Sequence, residues 1–76
     1  MTRGEIALIE RRATERNQTV GAIVRLSREM PGFTGILRTS EWLRSAVEDR
    51  LYLERDVERG TVREAIAEFL ATNGGA

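Results

Sequence analysis

The side chains that could do chemistry are carboxylates and guanidinium groups. The 76 residues include twelve acidic side chains, and all twelve basic side chains are Arg. Since His, Cys and Lys are absent, the chain lacks the bases and nucleophiles that hydrolases pair in their active sites. The carboxylates mostly alternate with arginines at helix-surface spacings, which is typical of a solvated face. The sequence therefore predicts no enzyme activity, no catalytic residue, no cofactor or metal site and no small-molecule substrate.

Charge and hydropathy limit the classes of partner. The opposite charges cancel, so no overall field draws the chain to nucleic acid or to a membrane surface. No apolar run approaches the roughly 20 residues that span a bilayer. The N-terminus is charged and then amphipathic, unlike a signal peptide. We therefore expect a cytoplasmic protein that does not contact a membrane.

The first half of the chain has the helix-capping and helix-ending residues of a helical hairpin. Thr2 and Glu5 have the spacing of a capping box, which predicts a helix over residues 3–16. One face of that helix carries Ile6, Ile9 and Ala13. Thr19 can cap a second helix over residues 20–30, which Pro31 and Gly32 would end.

The second half has similar helix-capping residues. Ser40 predicts the start of a helix over residues 41–58, and Thr61 and Glu64 form a capping box for a helix over residues 62–72. The intervening stretch, Phe33 to Thr39, contains three apolar residues near two glycines and predicts a loop or a short strand. The sequence thus predicts a single all-α domain, 1–76, with two helical hairpins joined by this segment and at most one short strand.

The third predicted helix carries polar residues on an apolar arc. At about 100° per residue, Arg50 and Glu54 fall within the arc. One interpretation is that Arg50 extends to solvent from the edge of a core-facing surface. The other is a polar pair on an association seam, where it would set specificity at some cost in stability. Under the second interpretation the partner interface comprises Trp42, Leu43, Val47, Arg50, Leu51, Glu54 and Val57.

Trp42, the only tryptophan, also has two interpretations. It could fix the preceding loop to the core. It could instead be an interface anchor, because tryptophan is enriched among residues that dominate binding energy.

Residues 11–24 (RRATERNQTVGAIV) resemble the helix–turn–helix core of ribbon-helix-helix proteins, many of which are antitoxins. The resemblance implies an intertwined dimer that binds DNA and a C-terminal extension that wraps a toxin. In that family a strand before the first helix reads DNA, and Thr2 and Arg3 are too few to form it. A second alignment places the strand at Phe33 to Thr39, where Thr34 and Arg38 would contact DNA.

Two functions follow as hypotheses. A 76-residue chain with no cysteine buries only about 60% of its unfolded surface, so an isolated monomer is marginal. We therefore expect a non-catalytic protein that works by association, as a homo-oligomer or as a subunit or inhibitor of a larger partner. The alternative is a DNA-binding regulator or antitoxin of the ribbon-helix-helix type.

Overall fold

The computed structural model describes residues 1–73 and folds them into four α-helices. The last three residues of the predicted domain, 74–76, lie outside the described residues. No strand occurs in residues 1–73, which confirms the all-α class. The helices are α1 (Arg3–Glu29), α2 (Phe33–Thr39), α3 (Glu41–Glu54) and α4 (Arg59–Asn73). α3 and α4 form a hairpin, and α1 packs mainly along α4.

α1 is one helix of 27 residues, so the predicted helices over 3–16 and 20–30 are wrong as separate elements. Thr2 does cap its start, since the Thr2 hydroxyl accepts the Glu5 amide at 3.2 Å. Thr19 does not cap a second helix. Its hydroxyl donates to the Glu15 carbonyl oxygen at 2.7 Å and is buried. Because that bond satisfies the hydroxyl within the helix, Thr19 continues α1 under the core instead of interrupting it.

The segment predicted as a loop or strand is the helix α2. Gly32, at φ 81°, turns the chain between α1 and α2 in a left-handed conformation that glycine adopts at little cost. Phe33 and Leu37 lie one helical turn apart and are both buried. The Arg44 guanidinium donates to the carbonyl oxygens of Leu37 and Arg38 at 2.9 and 2.7 Å. α2 is thus held by two core contacts and by an arginine that caps its C-terminus.

The boundary between α3 and α4 also differs from the prediction. Ser40 caps α3, as predicted, by accepting the Leu43 amide at 3.1 Å. However, α3 ends at Glu54 and α4 begins at Arg59, before the predicted cap at Thr61. The turn is a Schellman motif, because the Val57 amide donates to the Tyr52 carbonyl and the Asp56 amide to the Leu53 carbonyl. Since these bonds close the last turn of α3, the helix cannot continue to residue 58.

Asp56 occupies the left-handed position of that motif at φ 52°. We expect Asp56→Gly to raise the free energy of unfolding by about 0.5–1 kcal/mol, because glycine fits this conformation and removes a carboxylate from a helix C-terminus. Denaturant melts measure the change. Asp56→Ala separates the two causes, since it removes the charge and keeps the strained conformation. A stabilisation by alanine equal to that by glycine would contradict the conformational argument.

The core draws apolar side chains from all four helices. Its buried members are Ile23, Phe33, Leu37, Val47, Leu51, Val62, Ala65, Ile66 and Phe69. α1 contributes only Ile23 to this set, and Thr19 is its other buried residue. The core therefore supports the second half of α1, whereas residues 3–12 of the first half are exposed.

Candidate protein–protein interface

The first half of α1 projects from the bundle. We call residues 3–13 the α1 arm. Residues 3–12 are all exposed, and Ala13 is half-buried. A helix of 27 residues is about 40 Å long, and the longest dimension of the molecule is 43 Å. α1 therefore sets the length of the molecule, and the arm is the part of α1 that contributes no residue to the core.

One face of the arm is apolar and uncovered. Ile6, Ile9 and Ala13 follow one another at spacings of three and four, so they form a single stripe along the helix. Ile6 is 43% exposed and Ile9 is 54% exposed. Leu8 lies away from this stripe and lines a cleft of about 270 Å³ against the α3–α4 turn. The stripe therefore has a free apolar surface on the side that the turn does not occupy.

Charged side chains flank the stripe. In a heptad with Ile6 at a and Ile9 at d, Glu5 and Arg12 occupy g positions, and Arg3 and Glu10 occupy e positions. No ion pair involves these four residues within the described part of the chain. Each edge of the stripe thus carries one acid and one base without an ion pair in residues 1–73, and Arg12 also lines the cleft against the α3–α4 turn.

The predicted interface on α3 divides between two faces. Val47 and Leu51 are buried in the core of the same chain, and Leu43 and Val57 are half-buried against it. Val47 and Leu51 cannot contact a partner while the bundle is folded, so their assignment to an interface is wrong. The predicted arc was wider than the surface that α4 covers.

Trp42 lies outside the core. It is 78% exposed, so it does not fix α2 to the bundle. Leu53, eleven residues further along α3, is 70% exposed. Since that spacing is about three helical turns, the two side chains lie on the same outward side of α3. The proposal of Trp42 as an interface anchor stays a prediction.

Arg50 and Glu54 form an ion pair in water. The Arg50 Nε lies 3.2 Å from a Glu54 carboxylate oxygen, and the two side chains are 67% and 60% exposed. The pair is therefore not buried within its own chain. Both side chains line a groove between α1 and α3, together with Arg25, Glu29 and Arg55. Their role in an interface stays a prediction.

We expect Arg50→Ala to change the free energy of unfolding by less than about 0.5 kcal/mol, because exposed ion pairs contribute little. Denaturant melts of the variant and the parent protein check this. Arg11→Ala is the matched control, since Arg11 pairs with Glu15 at the same i, i+4 spacing and is also exposed. A loss of several kcal/mol for Arg50→Ala, with no loss for Arg11→Ala, would contradict the exposure of the Arg50–Glu54 pair.

Thr34 and Arg38, the residues predicted to contact DNA, lie on α2. They are one helical turn apart, with Thr34 half-buried and Arg38 exposed. Because residues 33–39 are helical, they do not provide the strand that the ribbon-helix-helix alignment needs. Membership of that family stays a prediction, without this support.

The strongest cluster of charges joins α3 to α4. The Glu48 carboxylate accepts from Arg63 at 2.9 Å and from Arg59 at 3.4 Å, and Arg59 also pairs with Asp49. The Arg59 guanidinium stacks on the Tyr52 ring, 3.9 Å from its centroid. The hydrogen bond from Arg63 is the main cause that lowers the pKa of Glu48. A carboxylate held ionised between two arginines is suited to a structural ion pair and does not supply a proton near neutral pH.

Residues 1–73 contain neither a metal-binding cluster of acidic side chains nor a membrane-spanning helix. Among residues 1–73, no group of three or more acidic side chains is placed to hold a metal ion. No helix in that range is both long enough and apolar enough to cross a membrane. The arm stripe is an exposed apolar face with charged edges, a combination that is typical of contact surfaces between proteins.

The arm stripe was visible in the sequence as an apolar periodicity but was not assigned to the interface. The signal that could have identified it is the heptad formed with its charged edges.

Comparisons with known proteins gave no match. The sequence matches no protein family and no curated protein, and the structure matches no solved structure.

Proposed function

We propose that this protein acts by protein–protein association and that the α1 arm stripe is its contact surface for a homo-oligomer. The observation that carries the proposal is the exposure of Ile6 and Ile9, which form one apolar stripe with Ala13 on the part of α1 that contributes no residue to the core. A helical segment of about ten residues is marginal in water without packing. Association would supply that packing.

The accessible surface of the chain supports this proposal. It measures 5427 Å², whereas a compact monomer of 8.6 kDa exposes about 4,700 Å². The radius of gyration is 13.2 Å, against about 11 Å for a compact chain of this length. The excess of roughly 700 Å² is close to the roughly 800 Å² that each partner buries in a standard interface.

The test is the mass in solution by light scattering or sedimentation over a range of concentrations. We expect the parent protein to exceed the monomer mass as its concentration rises. Ile6→Asn combined with Ile9→Asn should return it to the monomer mass, because polar groups replace the two central contacts of the stripe. The bundle should still melt cooperatively, since neither residue belongs to the core.

Leu53→Asn is the matched control, because it changes an even more exposed apolar side chain at the far end of α3. It should leave the oligomer intact. Two results would overturn the proposal: a parent protein that stays monomeric at high micromolar concentration, or an oligomer that the double arm variant does not change.

A further inference from the structure

We infer that the occupant of the arm stripe is the arm of a second copy, running antiparallel. This inference rests on the proposed function and adds its geometry. The reasoning starts from the heptad positions defined above. In an antiparallel pair, a residues meet d residues of the partner helix, g residues meet g residues, and e residues meet e residues. The charges at g and e therefore decide between orientations.

The apolar layers match when Ile6 of one copy packs on Ile9 of the other. The two-fold axis repeats this layer, because Ile9 of the first copy then packs on Ile6 of the second. The next layer outward pairs Thr2 with Ala13, so two small side chains close each end of the seam. The seam then spans the α1 arm and stops where α1 enters the bundle.

In this register every charged pair at the edges is attractive. Glu5 meets Arg12 of the second copy on one edge, and Arg3 meets Glu10 of the second copy on the other. Symmetry gives four such contacts. All four side chains are exposed and lack an ion-pair partner in residues 1–73, so no intramolecular pair is broken to form them.

Other arrangements bring like charges together. In a parallel pair each g residue meets the e residue five positions later in the partner, which places Glu5 against Glu10 on both edges. An antiparallel pair shifted by one heptad places Arg12 against Arg12 and Glu10 against Glu10. Since like charges oppose pairing, the pattern selects one orientation and one register.

The experiment uses Glu5→Arg and Arg12→Glu as separate full-length variants. Each variant alone replaces two attractive pairs by two repulsive pairs, so we expect the dissociation constant of its homodimer to rise about tenfold or more. Mixing the two variants restores attraction at both positions. Sedimentation equilibrium should therefore show a heterodimer that is at least as tight as the parent homodimer.

Glu64→Arg and Arg25→Glu are the matched controls, because they make the same changes in net charge at exposed positions away from the stripe. Their mixture should show no preference for the heterodimer. The rescue on mixing also excludes fraying of the arm as the reason for weak homodimers, since the Glu5→Arg chain is the same in both samples.

A distance measurement gives a second reading. Spin labels on Asn17→Cys, in a chain that has no other cysteine, should lie about 30 Å apart in the antiparallel dimer and about 10 Å apart in a parallel one. A tighter Glu5→Arg homodimer with a short label distance would overturn the inference in favour of parallel arms. A homodimer that neither charge change affects would overturn it and leave the proposed function standing. A parent chain that stays monomeric would overturn both.

Discussion

Phe69→Ala should lower the free energy of unfolding by about 3–5 kcal/mol. Phe69 is the largest fully buried side chain and lies on α4, which packs against all three other helices. Truncation removes its apolar contacts and leaves a cavity in the core. Because small domains have little stability to lose, we expect the variant to be largely unfolded at physiological temperature. Urea melts followed by circular dichroism measure the loss.

Trp42→Ala is the control for Phe69→Ala. It removes a larger aromatic side chain that is 78% exposed, so it should change stability by no more than about 0.5 kcal/mol. Similar losses in the free energy of unfolding for the two variants would contradict the burial of Phe69 and the exposure of Trp42.

Leu37→Ala should cost about 2–5 kcal/mol. The Leu37 side chain is fully buried although it lies on a helix of only seven residues. A helix this short does not form by itself, so its contacts with the bundle must hold it. Removing Leu37 therefore removes both a core contact and the main anchor of α2. Thermal melts monitored by circular dichroism would show the loss as a lower midpoint.

Ile36→Ala is the control on the same helix. Ile36 precedes Leu37 and is 55% exposed, so its truncation should change stability by less than about 0.5 kcal/mol. The comparison tests which side chains of α2 are buried. A Leu37→Ala variant that loses no stability, or an Ile36→Ala variant that loses several kcal/mol, would contradict the burial of Leu37 and the exposure of Ile36.

The sequence predicted two helix caps correctly, at hydroxyls whose only local partner is an amide of the first turn. Thr2 and Ser40 precede long apolar periodicities, and both accept the expected amides. Thr19 was misassigned because a threonine hydroxyl can cap a new helix or donate back to a carbonyl of its own helix. Only the packing of α1 along α4, which buries Thr19, decides between these two uses.

The remaining errors have the same origin in long-range contacts. The glycines near Phe33 suggested irregular backbone, and the capping of α2 by Arg44 depends on a residue seven positions beyond Leu37. On α3, periodicity gave an apolar arc but not which part of it faces α4. That direction is set by the α3–α4 turn and by the pairing of Glu48 with Arg63, neither of which a local pattern contains.

The continuity of α1 has a consequence for amide hydrogen exchange. The amides near Thr19 and Ile23 lie under the core, so they exchange only when the whole bundle opens. The amides of residues 6–12 belong to the same helix but can open by fraying from the N-terminus, which involves no core contact. Their protection should therefore rise with protein concentration as the arm stripe becomes covered, whereas protection at Ile23 should depend on global stability. A single helix would thus report association at one end and folding at the other.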